Sequence, residues 1–160
     1  MYALQALATD EYYMMLTTRL AHWCETEALV RAGDIGRAAH DVQYFGERIG
    51  SSQRYRIPYL RMLAVLALYH GEIEQAIEHL QEAERLSDEM GLPGELWSIQ
   101  SALGKLYLKQ GNNQQAHENF AQAATIARTL AAALRNEEHR AHFLASPLIQ
   151  QVLEQGDQRG

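Results

Sequence analysis

Histidine and carboxylate side chains near the end of the chain are the first candidates for chemistry. His139 and His142 lie one helical turn apart with Glu138 beside them, so on a helix they would share a face and could hold a metal ion. Two histidines and one acid without a longer motif form a weak metal signal. We favour a polar helix face here and predict neither a metal site nor a cofactor.

The other reactive residue types give no catalytic pattern. Cys24 is the single cysteine; it cannot form an intramolecular disulfide, which fits a reducing cytoplasm, and we expect it to be a small buried residue. The carboxylates of the stretch Glu72–Glu89 alternate with apolar residues at helical period, which indicates a solvated helix face. The sequence contains no phosphate-binding loop, nucleophile elbow or zinc motif. We therefore predict that the protein is not an enzyme.

The composition indicates which secondary-structure elements must hold any functional site. The 160 residues are 47% hydrophobic and include only three prolines, with abundant helix-forming residues, so we predict a single all-α domain over residues 1–160. The net charge of -6 argues against direct binding to nucleic acid. No stretch reaches the roughly 18 uninterrupted apolar residues of a membrane span. We expect a cytoplasmic protein without a membrane partner.

A glycine followed five residues later by an alanine recurs three times along the chain, at intervals of 38 and 40 residues. A large apolar residue follows each alanine by four positions. The three sets are Gly33, Ala38 and Val42; Gly71, Ala76 and Leu80; and Gly111, Ala116 and Phe120. Glycine just past a helix end adopts the left-handed cap at little cost, and the small alanine lets two helices approach closely. The period predicts one helix–turn–helix unit per repeat.

The predicted units cover residues 10–50, 52–91 and 94–134, followed by a C-terminal cap over 135–155. In each unit the second helix carries one apolar stripe. Pro58 is expected to open a helix that ends at His70, in preference to kinking a longer helix that begins near Ser52. In the cap, Ser146 is a plausible N-cap before Pro147, and residues 156–160 are expected to be a frayed tail.

These stretches resemble tetratricopeptide repeats over residues 10–134. The family's small residue in helix A is matched by Ala64 and Gly104, its aromatic three positions on by Tyr107, and the later aromatic of helix B by Phe120. The period near 40 departs from the usual value of about 34, and the longer units resemble repeat arrays in large bacterial regulators such as transcription activators, signalling ATPases and kinase- or cyclase-linked proteins. The segment Arg140–Pro147 is similar to the tail of such arrays. The resemblance implies a right-handed solenoid of three hairpins with a capping helix.

Members of that family often bind partners on the concave face lined by helix A. Aligned on the turn glycines, the resemblance places seven candidate side chains there: Trp23, Glu27, Arg31, Arg61, Tyr69, Lys105 and Lys109. The cations would donate to an acidic or C-terminal peptide and the aromatics would anchor it; solvated charges and packing between repeats are the alternative. A strict carboxylate clamp is not expected, because Cys24, Met62 and Ala102 stand where that subgroup has asparagine.

Three hypotheses for function stay open. The first is a scaffold that binds a protein or peptide in a signalling or regulatory protein. The second is an assembly element, because the stretch of residues 10–23 is rich in Tyr, Met and Leu and could drive homodimerisation. The third is a sensor that holds a small effector on the concave face. The fold class alone does not choose among them.

Overall fold

The computed structural model describes residues 23–158, and within that range every regular element is a helix. The prediction of an all-α fold is confirmed. The first described residues, 23–31, form α1. Seven helices follow: α2 (Ile35–Arg48), α3 (Gln53–Tyr69), α4 (Ile73–Glu89), α5 (Pro93–Lys109), α6 (Asn113–Ala133), α7 (Glu137–Ala145) and α8 (Pro147–Asp157). None of the helices in this range is long and apolar enough to cross a membrane.

The chain groups into two compact units, Met1–His79 and Leu80–Gly160. The boundary falls within α4, and the units are described separately. The apolar N-terminal stretch that motivated the homodimer hypothesis lies outside the described residues, apart from Trp23.

Four helices end in the same hydrogen-bonded turn around a glycine with positive φ: Gly33, Gly71, Gly91 and Gly111. At Gly111, the Asn112 N–H donates to the Tyr107 carbonyl and the Gly111 N–H donates to that of Leu108. This pair of bonds defines a Schellman motif, and it recurs at the other three glycines. The three glycines of the sequence repeat therefore end helices as predicted, and Gly91 adds a fourth turn.

Short polar side chains begin several of the helices. Asp34, Ser52, Asn112 and Asn136 each accept a hydrogen bond from the backbone N–H three residues on, which satisfies one of the unpaired donors of the first turn. Ser146 precedes α8 as predicted, but its side chain makes no capping bond.

The expected start of the third helix at Pro58 is wrong. α3 begins at Gln53 and Pro58 lies inside it, buried. The Ser52 cap and the apolar contacts of Tyr55 and Ile57 favour the longer helix. The stabilisation from the cap and these contacts outweighs the loss of the one backbone hydrogen bond that a proline inside a helix removes.

The core of the first unit joins α2 to α3. Val42, Phe45 and Met62 are buried together, and Trp23 and Tyr59 pack against them. Where these helices meet, a Cβ added to Gly46 would lie 2.7 Å from the Tyr59 ring. The predicted apolar stripe of α2 is buried at Ala38, Val42 and Phe45, whereas Ala39, also assigned to it, is exposed.

The core of the second unit includes residues of α5, α6 and α8. The stripe predicted for α6 is buried at Ala116, Phe120, Ala123 and Ala127. A Cβ on Gly104 of α5 would lie 2.9 Å from the Phe120 ring. Gly104, which the family resemblance singled out, and Phe120, which the sequence repeat singled out, are therefore in close contact.

The C-terminal segment differs from the single capping helix that was predicted. It contains two helices, α7 and α8, and α8 packs against α6. The expectation of a frayed tail is wrong for residues 156 and 157, because α8 continues to Asp157, whose carboxylate lies 2.6 Å from the Arg128 guanidinium. Gly156 permits this packing, since an added Cβ would lie 2.9 Å from the Phe120 carbonyl oxygen.

Candidate functional site: a polar groove in the second unit

A groove of about 670 Å³ lies on the second unit. Three helices line it. Its residues are Gln81, Glu84, Arg85 and Asp88 of α4; Leu96 and Gln100 of α5; and Ala121, Gln122, Thr125 and Ile126 of α6.

Helical spacing explains why these residues meet. The lining positions on each helix are separated by steps that keep them on one face. On α4 the adjacent face is apolar and buried, with Leu80, Ala83 and Leu86 in the core. The acid-rich face of α4, predicted to be solvated, therefore forms one wall of the groove over residues 81–88.

Gln100 lies between the two walls and is only 6% exposed. Its Nε2 donates to Glu84 Oε1 at 3.2 Å and to Gln122 Oε1 at 3.1 Å. An ionised carboxylate only accepts hydrogen bonds, so Glu84 fixes which end of the amide faces it. The Gln100 Oε1 atom is buried and has no hydrogen-bond partner among the described residues. An unpaired buried acceptor costs about 1–3 kcal/mol.

The Glu84 carboxyl has a raised pKa. Burial is the main cause, because it disfavours the charged form, and the nearby Asp88 charge raises the pKa further. The hydrogen bond from Gln100 acts in the opposite direction. A positive charge brought near Glu84 would favour its ionised form and so oppose the two effects that raise its pKa.

The charges around the groove are predominantly negative. The Arg85 guanidinium donates to both carboxylate oxygens of Glu89, at 2.8 and 2.9 Å. Its charge is thus balanced by a residue that does not line the groove. Glu84 and Asp88 are the acidic residues among those that do line it. The groove as a whole favours a cation over an anion.

A second inter-helix hydrogen bond joins α4 to α5 one helical turn before Glu84. Gln81 Nε2 donates to the Tyr107 hydroxyl at 2.9 Å. Together with the bond from Gln100 to Glu84, it fixes the register of the two helices across the groove. The polar groups are held by a rigid helical frame, which lowers the entropic cost of ordering them on binding.

The residues predicted for the concave face have varied surroundings. In the first unit, the Arg61 guanidinium lies over the Trp23 ring, 3.5 Å from its centroid, and Arg61 is only 5% exposed. Arg31 donates to Glu27 at 2.9 Å in an exposed ion pair, a kind of contact that contributes little to stability. The structure therefore brings Trp23 and Arg61 together and pairs Arg31 with Glu27.

The remaining predicted residues are more accessible. Tyr69 is half exposed, and its ring and that of His70 form a T-shaped pair. Lys105 and Lys109 belong to α5 in the second unit, half-buried and exposed respectively, and neither lines the groove. Binding of a partner by these seven residues stays a prediction.

Cys24 is exposed, so the expectation that it is buried is wrong. Partial burial of its thiol nevertheless raises its pKa, while the nearby Arg61 charge lowers it and Glu27 raises it. A raised pKa lowers the thiolate fraction and hence the reactivity of the thiol.

The histidines near the C-terminus form no metal centre within residues 23–158, where no three His, Cys, Asp or Glu side chains group as ligands. His139 and His142 are exposed on α7. The His142 Nδ1 lies 3.0 Å from the Glu138 carbonyl oxygen, and the His139 N–H is bonded to the Asn136 cap.

Sequence reasoning did not single out Gln100. The available signal was a long polar side chain in the otherwise apolar series Leu96, Gln100, Leu103 and Tyr107, spaced as one helix face. A buried amide in such a series needs polar partners on neighbouring helices, and these are Glu84 and Gln122.

Comparison of the chain with protein-family models, curated proteins and solved structures gives no match.

Proposed function

We propose that this chain is a tetratricopeptide-like helical scaffold that binds a protein or peptide partner, within a regulatory or signalling protein. The four Schellman turns, each a glycine between consecutive helices, support a repeat architecture. The contact between Gly104 and Phe120 supports the same assignment, because these residues match the small and aromatic positions of the family. On this proposal the hairpins stack in a right-handed solenoid closed by α7 and α8.

One observation carries the binding role: the groove between α4, α5 and α6 is lined by Gln100, whose buried amide oxygen has no hydrogen-bond partner among the described residues. Natural folds rarely leave such atoms unpaired, and a ligand that donates a hydrogen bond to it would remove the cost. A groove of about 670 Å³ has room for one or two side chains of a partner. We therefore favour this groove over the face predicted from the sequence as the main contact.

The test fills the groove without disturbing the core. Thr125 is exposed on α6 and lines the groove, so Thr125→Trp places a bulky ring in it. The matched control is Gln114→Trp, an exposed position on the same helix that does not line the groove. It lies about 16 Å away along the helix axis, from the rise per residue of an α-helix.

The full chain is used to select binders from a library of displayed random peptides, and the binding of the selected peptides is then measured by calorimetry. We expect a recognisable family of peptides to be selected. They should bind wild type and Gln114→Trp equally and bind Thr125→Trp about tenfold or more weakly. If no peptide family emerges, or if Thr125→Trp binds as well as wild type, the proposed function of this groove is wrong.

A further inference from the structure

The unpaired oxygen of Gln100 determines what kind of group a ligand must present. Its own Nε2 is engaged by Glu84 and Gln122, so turning the amide over would break both bonds and set its oxygen against the carboxylate. Gln100 is more than nine-tenths buried, and its two partners line the groove. Because Gln100 lines the groove, a hydrogen-bond donor that reaches this side chain from the groove would satisfy the oxygen.

The charges around that oxygen select a positively charged donor. Glu84, whose carboxylate accepts from Gln100, lies one helical turn from Asp88 on the same wall. Arg85, the cation in the described lining, forms an exposed ion pair with Glu89. Charge-assisted hydrogen bonds are about twice as strong as neutral ones, and an anion entering here would meet two carboxylates.

The apolar lining residues suit an aliphatic stem behind the charged head. Leu96 of α5 is buried, and Ala121 and Ile126 of α6 are partly buried. Lysine and arginine pack their methylene stems along such surfaces while the charged end reaches polar groups. A free metal ion would need a closer set of oxygen ligands than the described residues provide.

We propose that the groove recognises a basic side chain of the partner, a lysine or arginine whose N–H groups donate to Gln100 Oε1 and to the Glu84 carboxylate, with Asp88 adding attraction. This inference rests on the proposed function and specifies the chemistry of the partner. A basic partner differs from the acidic or C-terminal peptide that the sequence predicted for the concave face lined by helix A.

A smaller groove beside α6 gives weaker support for a binding site. Arg128 and Arg140 line this groove. The first is paired with Asp157, and the second donates to the carbonyls of Ala131 and Leu134 at the end of α6. Both guanidinium groups therefore have structural partners.

The experiment uses the full chain and the peptides selected above. We expect each selected peptide to contain a lysine or arginine whose replacement by a neutral residue of similar length, citrulline for arginine or norleucine for lysine, weakens binding about tenfold. On the protein side, Glu84→Gln keeps an acceptor for Gln100 but removes the charge, and should weaken binding by a similar factor. Glu118→Gln, an exposed acid on α6 outside the groove, should leave binding unchanged.

The outcomes separate the two proposals. Peptides that lose affinity with Thr125→Trp but contain no basic residue, or tolerate its neutral replacement, would overturn this inference and leave the proposed function standing. Failure to select any peptide would instead remove the proposed function. Spermidine provides a final arm. If this free polyamine displaces the peptides at equal or lower concentration, the groove belongs to a small amine and the inference of a basic side chain is wrong.

Discussion

At the scale of the residue, Glu84 and Gln100 define the site because they are hydrogen-bonded to each other and neither environment is fully favourable. The Glu84 carboxylate fixes the orientation of the Gln100 amide, and that orientation leaves the amide oxygen unpaired. Burial beside Asp88 in turn makes the charge on Glu84 costly. A native structure that retains two such unfavourable features in one groove is typical of binding sites, where local cost is recovered on binding.

The raised pKa of Glu84 gives a prediction for stability. A carboxyl group whose pKa is higher in the folded than in the unfolded state stabilises the fold at pH values below its ordinary pKa of 4.5. This contribution is lost as the pH rises through the pKa of the folded state. We expect Glu84→Gln to be more stable than wild type at neutral pH. The difference should be below about 1 kcal/mol, because water screens a half-exposed site.

Urea unfolding of both proteins measures this difference. It is carried out from about pH 4 to about pH 7, the range in which carboxyl groups with ordinary or raised pKa values titrate. The advantage of Glu84→Gln should vanish towards the acid end. Asp88 acts on Glu84 from the same helix, and the lining residues of α5 and α6 carry no titratable group, so the comparison reports Glu84 together with its interaction with Asp88. An advantage that grows as the pH falls would contradict the assignment.

At the scale of the element, sequence period and structure agree where apolar residues repeat at helical spacing. The turns at Gly33, Gly71 and Gly111 could be predicted because only glycine adopts their positive φ cheaply. α7 was not predicted as a helix because it buries none of its residues. It depends instead on the Asn136 cap and on two acids in its first turn.

The groove was harder to predict than the helices that form it. The apolar stripes of α4 and α6 specify which faces pack, but the groove depends on which polar faces then meet across α5. Glu84 and Gln122 are ordinary surface residues in the sequence, and their significance comes only from contact with Gln100 over separations of 16 and 22 residues.

Gly156 provides a test of the docking of α8 on α6. Replacing glycine by alanine inside an exposed helix normally stabilises it by about 1 kcal/mol. At Gly156 the added Cβ would lie 2.7 Å from the Ala124 Cβ and 2.9 Å from the Phe120 carbonyl oxygen. We therefore expect Gly156→Ala to destabilise the chain by about 1–3 kcal/mol, as overpacking does.

The control for this substitution is Gly36→Ala. Gly36 also lies in a helix, and nothing lies within 4 Å of an added Cβ there, so alanine should be neutral or stabilising. Urea unfolding followed by circular dichroism compares the two. Equal stability of both variants would mean that α8 does not pack closely on α6.

At the scale of the whole molecule, the two units offer different chemistry. In the described part of the first unit, Arg61 is buried over Trp23 and Arg31 is paired with Glu27. The second unit presents an acidic groove with an unsatisfied acceptor. The net charge of -6 for the full chain is consistent with attraction of a basic partner, which steers association more strongly at low salt.

The claim that Glu84 contacts a basic side chain of the partner is tested most directly by a double-mutant cycle across the interface. Wild type and Glu84→Gln are each titrated with a selected peptide and with the same peptide carrying the neutral replacement of its basic residue. If Glu84 contacts that residue, the two changes are not additive, and the coupling free energy is about 1 kcal/mol or more. Additive effects, with a coupling free energy near zero, would contradict the claim that the groove binds a basic side chain of its partner.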